Sequence, residues 1–186
     1  MVSWKSDAMI DIEKWKQVYY SFVETFVEEQ YRWLSLALKE HTTIFDLGAQ
    51  AGDSAFYLLN NNEDKIDKIY AYEPDADFYN LLRENLERTH NTRIEPIFAK
   101  APEPFKFEPK VKNVVIKCDI EGAEHNVFTK DADLENVYKI QLEYHGGPKD
   151  LPSILGSKGF IVDTIGPWTI DKNLGEVGFI YAWRDD

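Results

Sequence analysis

Residues 44–55 read Ile-Phe-Asp-Leu-Gly-Ala-Gln-Ala-Gly-Asp-Ser-Ala, and that order leaves few folds open. An apolar run ends in Asp46, turns through Gly48 and Gly52, and enters a helix-compatible segment, Asp53 to Asn60. A strand that passes through a glycine turn into a helix N-terminus offers a ligand backbone amides and the positive end of a dipole. A second strand-like run, Lys68 to Tyr72, ends in Glu73-Pro74-Asp75. A carboxylate there suits the two hydroxyls of a ribose, because it accepts from both.

The spacing discriminates between nucleotides. A dinucleotide fingerprint is G-x-G-x-x-G with the pyrophosphate on the helix N-terminus. Here Gly48-x-x-x-Gly52 has no third glycine, and Asp46 stands just before the turn. A carboxylate repels a pyrophosphate but suits the ammonium of a methionine moiety. S-adenosylmethionine carries that ammonium and a ribose and has no phosphate. The pattern favours it over NAD, the cofactor of an alternative oxidoreductase reading. The candidate cofactor-binding residues are Asp46, Gly48, Ala49, Gly52, Asp53, Ser54, Glu73 and Pro74.

The rest of the chain alternates strand and helix. Strands are expected over Thr43–Leu47, Lys68–Tyr72, Arg93–Phe98, Val111–Lys117 and Lys139–Tyr144, with helices at Asp53–Asn60, Asp75–Arg88 and near His125–Phe128. Such alternation predicts a parallel sheet with helices on both faces. Residues 101–110 hold three prolines and read as a loop. A helix over Pro148–Lys158 precedes two strands, Phe160–Thr164 and Val177–Trp183, separated by Gly166-Pro167-Trp168. Two strands with no helix between them form an antiparallel pair at the sheet edge. Residues 1–40 are expected to be a helical extension of a domain over 41–186. Trp15, Tyr19, Phe22 and Phe26 follow a 4-3-4 spacing that places them on one helical face, and Tyr31, Leu34 and Leu38 continue it. That face docks on the main domain, forms a lid, or makes a homodimer contact.

Charge narrows the partners. The chain carries 21 basic and 33 acidic residues, a net charge of −12. Nucleic-acid binders need a basic stripe to displace counterions, and Lys106 to Lys112 is interrupted by Glu108 and Pro109. Nucleic acid and anionic membranes are therefore not expected partners. The single cysteine, Cys118, permits no intrachain disulfide. With no signal pattern in Met1–Glu13 and no membrane-length apolar run, a cytoplasmic location is expected.

In open parallel sheets the ligand lies beyond the carboxyl ends of the strands. Those ends carry Asp46, Glu73, Lys117, Asp119, Glu121, Glu143 and His145. His145 is the candidate base for a hydroxyl acceptor, because its ordinary pKa is near neutral. Asp119 and Glu121 are alternatives, and Lys117 belongs to the same candidate catalytic set. Asp119, Glu143 and His145 together suit a divalent cation such as magnesium. The bland counterpart is a structural ion pair between Lys117 and Glu121.

Three segments carry a resemblance: Phe45-Asp46-Leu47-Gly48-Ala49-Gln50-Ala51-Gly52-Asp53-Ser54, Ala71-Tyr72-Glu73-Pro74-Asp75, and Ile116-Lys117-Cys118-Asp119-Ile120-Glu121-Gly122-Ala123-Glu124. Over about Ile44–Ile165 the chain resembles the FkbM-type methyltransferases, a branch of the Rossmann-like S-adenosylmethionine enzymes. The last segment is the most family-specific. The resemblance implies a three-layer α/β sandwich on a seven-strand, mostly parallel sheet whose last strand is antiparallel. It also implies O-methylation of a small molecule or sugar hydroxyl. The chain departs from the family at Ala99-Lys100-Ala101-Pro102, which offers no carboxylate to the adenine amino group. A domain that binds S-adenosylmethionine without transferring methyl, as a sensor or partner subunit, is the alternative.

Overall fold

The computed structural model describes residues 12–107 and 111–185. The polar stretch before Ile12 and the Glu108-Pro109 interruption lie outside the described residues. Seven strands form one sheet: β1 (Thr42–Leu47), β2 (Ile66–Tyr72), β3 (Ile94–Ile97), β4 (Val114–Cys118), β5 (Val137–His145), β6 (Ile161–Asp171) and β7 (Gly175–Trp183). Their order is β3-β2-β1-β4-β5-β7-β6. β7 runs antiparallel to both β5 and β6, and every other pairing is parallel. This is the Rossmann-like methyltransferase fold.

Side-chain alternation along each strand builds the layers. Phe45 and Leu47 of β1 join Ile116 and Leu142 under α5 (Glu124–Val127) and α6 (Leu151–Ser157). Ile44 and Val115 point the other way, into a cluster with α2 (Arg32–Ser35), α3 (Asp53–Asn61) and α4 (Ala76–Thr89). Parity puts Asp46 on that second face, and register places Lys117 directly beside it and Gln141 beside Lys117. β1 and β4 are buried along their whole length, as central parallel strands covered on both faces must be. Among the described residues, no helix is long and apolar enough to cross a membrane.

The segment before β1 covers the part of this face that no crossover helix reaches. α1 (Ile12–Phe22) continues into a π-helical turn, Val23–Val27, and then α2. Buried polar side chains of β5 hold it down. Lys139 Nζ donates to the carbonyls of Trp33 at 2.6 Å and Leu36 at 2.7 Å, and Gln141 Nε2 donates to that of Gln30 at 2.9 Å. Tyr31, Leu34 and Leu38 are buried as their spacing predicts.

Two expectations need correction. Tyr19 is not on the docking face. Val18 is the buried residue of α1, and Tyr19 is 64% exposed. Gly166-Pro167-Trp168 does not separate two strands either. It forms an irregularity inside the longer β6, with the register shifting between Ile165 and Thr169. The turn comes later, where the Asp171 carboxylate accepts from the amides of Asn173 and Leu174 at 2.7 and 2.8 Å.

Candidate functional site

The turn after β1 is fixed by backbone contacts. The amides of Gly48 and Ala49 both donate to the Tyr72 carbonyl at 3.0 Å, which ties the turn to the end of β2. Gly48 has φ +80, and a Cβ there would fall on the Asp119 carbonyl oxygen. Gly52 has φ +96, and a Cβ would come within 2.7 Å of Leu82 Cδ1 on α4. Both glycines thus answer first to contacts within the protein, a stricter demand than the close ligand approach inferred from sequence. Gly48 also lines the adjoining cleft.

Behind the turn lies a buried polar group. Asp46 is fully buried, and its Oδ2 accepts from Ser54 Oγ at 2.6 Å. Lys117 Nζ stands 3.2 Å from Asp46 Oδ1 and donates to the Gly48 carbonyl at 2.6 Å. The Tyr31 ring lies 5.5 Å from that ammonium. Burial opposes the lysine's charge, but Asp46 and the other negative groups outweigh it and hold its pKa well above the ordinary value. Lys117 therefore pairs with Asp46 rather than Glu121, and neither Asp46 nor Lys117 lines the cleft. Asp53 is also buried, beneath α1. Burial lifts its pKa to about 7, against the opposing influence of Ser21 and Lys117.

The cleft encloses about 560 Å³ beyond the ends of β1, β2 and β4, a size suited to a small-molecule ligand. Glu73, Pro74, Gly48 and Asp119 line it, together with Gln17 of α1. Glu73 is held at both oxygens: Oε2 accepts from the Gln50 amide at 2.8 Å and Oε1 from the Asp75 amide at 2.7 Å. Its pKa is raised by burial, which outweighs these two bonds. Asp75 caps α4 by accepting from the amides of Asp77 and Phe78. Lys14 of α1 clamps the same corner, 2.8 Å from Asp75 and 2.7 Å from Asp77.

The candidate catalytic group sits at the ends of β4 and β5. Glu124 is fully buried, and its Oε1 accepts from the amides of Gly122 at 3.1 Å and Ile120 at 3.4 Å. The same oxygen is 3.0 Å from His145 Nδ1. His145 Nε2 lies 3.5 Å from Glu121 Oε2 and 3.9 Å from Glu143 Oε1. Burial alone would lower the imidazole's pKa. The Glu124 hydrogen bond and the surrounding carboxylates outweigh burial and raise it to about 9. That shift favours the imidazolium, in which both ring nitrogens are donors. Burial first, then the like charge of Asp119, raises Glu143 to about 8, and burial raises Asp119 as well.

Among the described residues, one group of three could hold a metal ion: Asp119, Glu121 and His145, with ligand atoms within 4.8 Å of one another. Glu121 takes the place expected for Glu143. Sequence reasoning missed three further residues. Glu124 orients His145, and its signal was its place at the end of the Lys-x-Asp-x-Glu-Gly-x-Glu run. Tyr31 covers Lys117 from a segment read only as apolar. Glu103 lines the cleft one residue beyond the stretch that carries no carboxylate.

No protein-family model and no curated protein matches the chain. Solved structures do match. TrmK of M. capricolum, in complex with S-adenosyl-homocysteine, shares 16% identity at a TM-score of 0.61, over 84% of this chain and 68% of that one. Precorrin-6y C5,15-methyltransferase of Geobacter metallireducens shares 16% at a TM-score of 0.59, over 97% and 93%. The M. jannaschii tRNA m1G37 methyltransferase shares 16% at a TM-score of 0.59, over 86% and 49%. At these identities the likeness establishes the fold: this chain has the architecture on which those methyltransferases are built.

Proposed function

We propose that the chain is an S-adenosylmethionine-dependent methyltransferase acting on a hydroxyl of a small molecule or sugar, akin to the FkbM type, in the cytoplasm. The observation that carries this reading is the cleft at the ends of β1, β2 and β4 with Glu73 fixed in its wall by two backbone amides. That carboxylate is placed to accept from a ribose diol, and Gly48 and Pro74 line the same wall. Glu103 supplies an acceptor for an adenine amino group. Asp46 and Ser54, with Lys117, act as positioning residues that shape the turn, with Ala49, Gly52 and Asp53 completing it.

When bound, the cofactor supplies an electrophilic methyl group. The protein's task is then to hold the acceptor oxygen in line with it, which is chiefly a proximity effect. Asp119 lines the cleft and is the group we assign to take the hydroxyl proton. His145 does not line this cleft. In this reading its positive charge holds Asp119, Glu121 and Glu143 together. The fold alone does not choose the acceptor, since it serves both a precorrin and a tRNA enzyme. The net charge of −12 argues against a polyanion.

The test is formation of S-adenosylhomocysteine from S-adenosylmethionine across a panel of hydroxylated small molecules, with and without magnesium. Turnover lost in Asp119→Asn, with cofactor affinity retained, is the expected result. Cofactor binding with no turnover on any acceptor would favour a non-catalytic sensor or partner subunit.

A further inference from the structure

A second cleft, of about 530 Å³, opens beside the candidate catalytic group. Four rings line it, Trp33, Tyr181, Phe179 and Trp168. They form one run, with centroids 4.9, 5.8 and 4.3 Å apart in that order. Register explains the run. Tyr181 and Phe179 stand opposite Gln141 and Glu143 of β5, so rings and carboxylate share one face of the sheet.

The remaining lining is acidic. Glu24 and Glu28, from the π-helical turn and its end, have no basic partner among the described residues, whereas Glu29 is paired with Arg32 at 2.8 Å. Glu143 reaches into the cleft, where it accepts from Gln30 Nε2 at 3.2 Å and has His145 Nε2 at 3.9 Å, so the uncompensated carboxylates are Glu24 and Glu28. Lys139 already lies 4.3 Å from the Trp33 ring. The other three rings carry no cation among the described residues. Aromatic faces beside uncompensated carboxylates attract an organic cation, and they repel an anion. A neutral sugar would gain stacking but would leave the carboxylates uncompensated.

The cleft also adjoins the transfer point. Glu143, which lines it, is 3.9 Å from His145 Nε2, and Glu121, which lines the first cleft, is 3.5 Å from the same atom. We propose that the second cleft binds the methyl acceptor, and that the acceptor is an organic cation: a small hydroxyl-bearing molecule that also carries an ammonium group. This rests on the methyltransferase reading of the first cleft. Glu24, Glu28 and Trp168 hold the charged end, and the hydroxyl lies toward Asp119.

The experiment is calorimetry in saturating S-adenosylhomocysteine with two matched pairs of probes. Choline is compared with dimethylbutanol, its neutral carbon isostere, and glucosamine with glucose. The charged member should bind about tenfold or more tightly in each pair. The Glu24→Gln/Glu28→Gln protein should weaken the charged probes and leave the neutral ones unchanged, and Trp168→Ala should, separately, weaken the charged probes. Equal affinity within both pairs, binding of neither cation, or cation binding indifferent to both variants would overturn the proposal. So would choline binding abolished by magnesium chloride, with magnesium itself bound through Asp119 and Glu121. S-adenosylhomocysteine is titrated first. Its binding without cation binding removes this inference and leaves the cofactor reading standing. Cation binding without it removes the methyltransferase reading and, with it, the acceptor role.

Discussion

At the residue scale the two glycines of the turn separate by what each would strike. A side chain at Gly48 meets the Asp119 backbone, which cannot swing aside. Gly48→Ala should therefore cost about 3 kcal/mol or more, from the left-handed backbone and overpacking together. At Gly52 the nearest atom is the flexible tip of Leu82, and Gly52→Ala should cost about 1–2 kcal/mol. Urea denaturation of both variants checks the order. Lys117→Met leaves Asp46 buried without its counter-charge and should cost about 3–5 kcal/mol. Asp46→Asn in the same chain should return part of that loss. His145 gives a pH signature. Its pKa rises from an ordinary 6.5 to about 9 in the fold. Its stabilisation is thus full below pH 6.5 and is lost as pH rises through 9. The difference between His145 and His145→Gln proteins should shrink by on the order of 3 kcal/mol across that window. The comparison is best made in a Glu143→Gln background, because Glu143 titrates in the same range. A difference that is flat with pH would contradict the assignment. These roles were only half legible in the sequence. The motif marked Lys117, Asp119 and Glu124 as a group, but which of them turn inward depends on the parity of β4 and on the loop that follows it.

At the element scale, legibility followed burial. The central strands β1 and β4 announced themselves as apolar runs, because both of their faces are covered. β6 did not. It is exposed along most of its length, so no hydrophobic pattern marks its extent, and Gly166-Pro167 reads locally as a break. Edge strands tolerate proline, since one side of their ladder lacks a partner. The N-terminal segment misled in another way. Its aromatic spacing put Tyr19 on the docking face with Trp15 and Phe26, which do pack on the core, and residues that anchor it, Lys139 and Gln141, lie far away in β5. α1 is fastened near the cleft by Lys14, whose pKa rises through its bonds to Asp75 and Asp77. Lys14→Ala should speed amide hydrogen exchange in α1 and leave the sheet's protection unchanged. Equal exchange in both proteins would show that apolar packing alone holds the helix.

At the scale of the whole molecule, an acidic protein carries a fold that also serves a tRNA methyltransferase. The account separates the two by charge: tRNA titrated at low salt should leave this protein's electrophoretic mobility unchanged, and a shift that disappears with added salt would contradict that expectation. The fold was readable from the strand–helix alternation because each crossover permits one handedness. The acceptor cleft was not readable, because it joins a π-helical turn, β5 and β7, which are far apart in the chain. The central claim is that the first cleft holds S-adenosylmethionine against Glu73. It is tested most directly by calorimetric titration of the purified protein with S-adenosylmethionine and S-adenosylhomocysteine, alongside Asp46→Ala and Glu73→Ala. The account predicts saturable binding of both ligands, abolished by Glu73→Ala and weakened by Asp46→Ala through the turn. Absence of binding in folded protein, or affinity unchanged in Glu73→Ala, would contradict it.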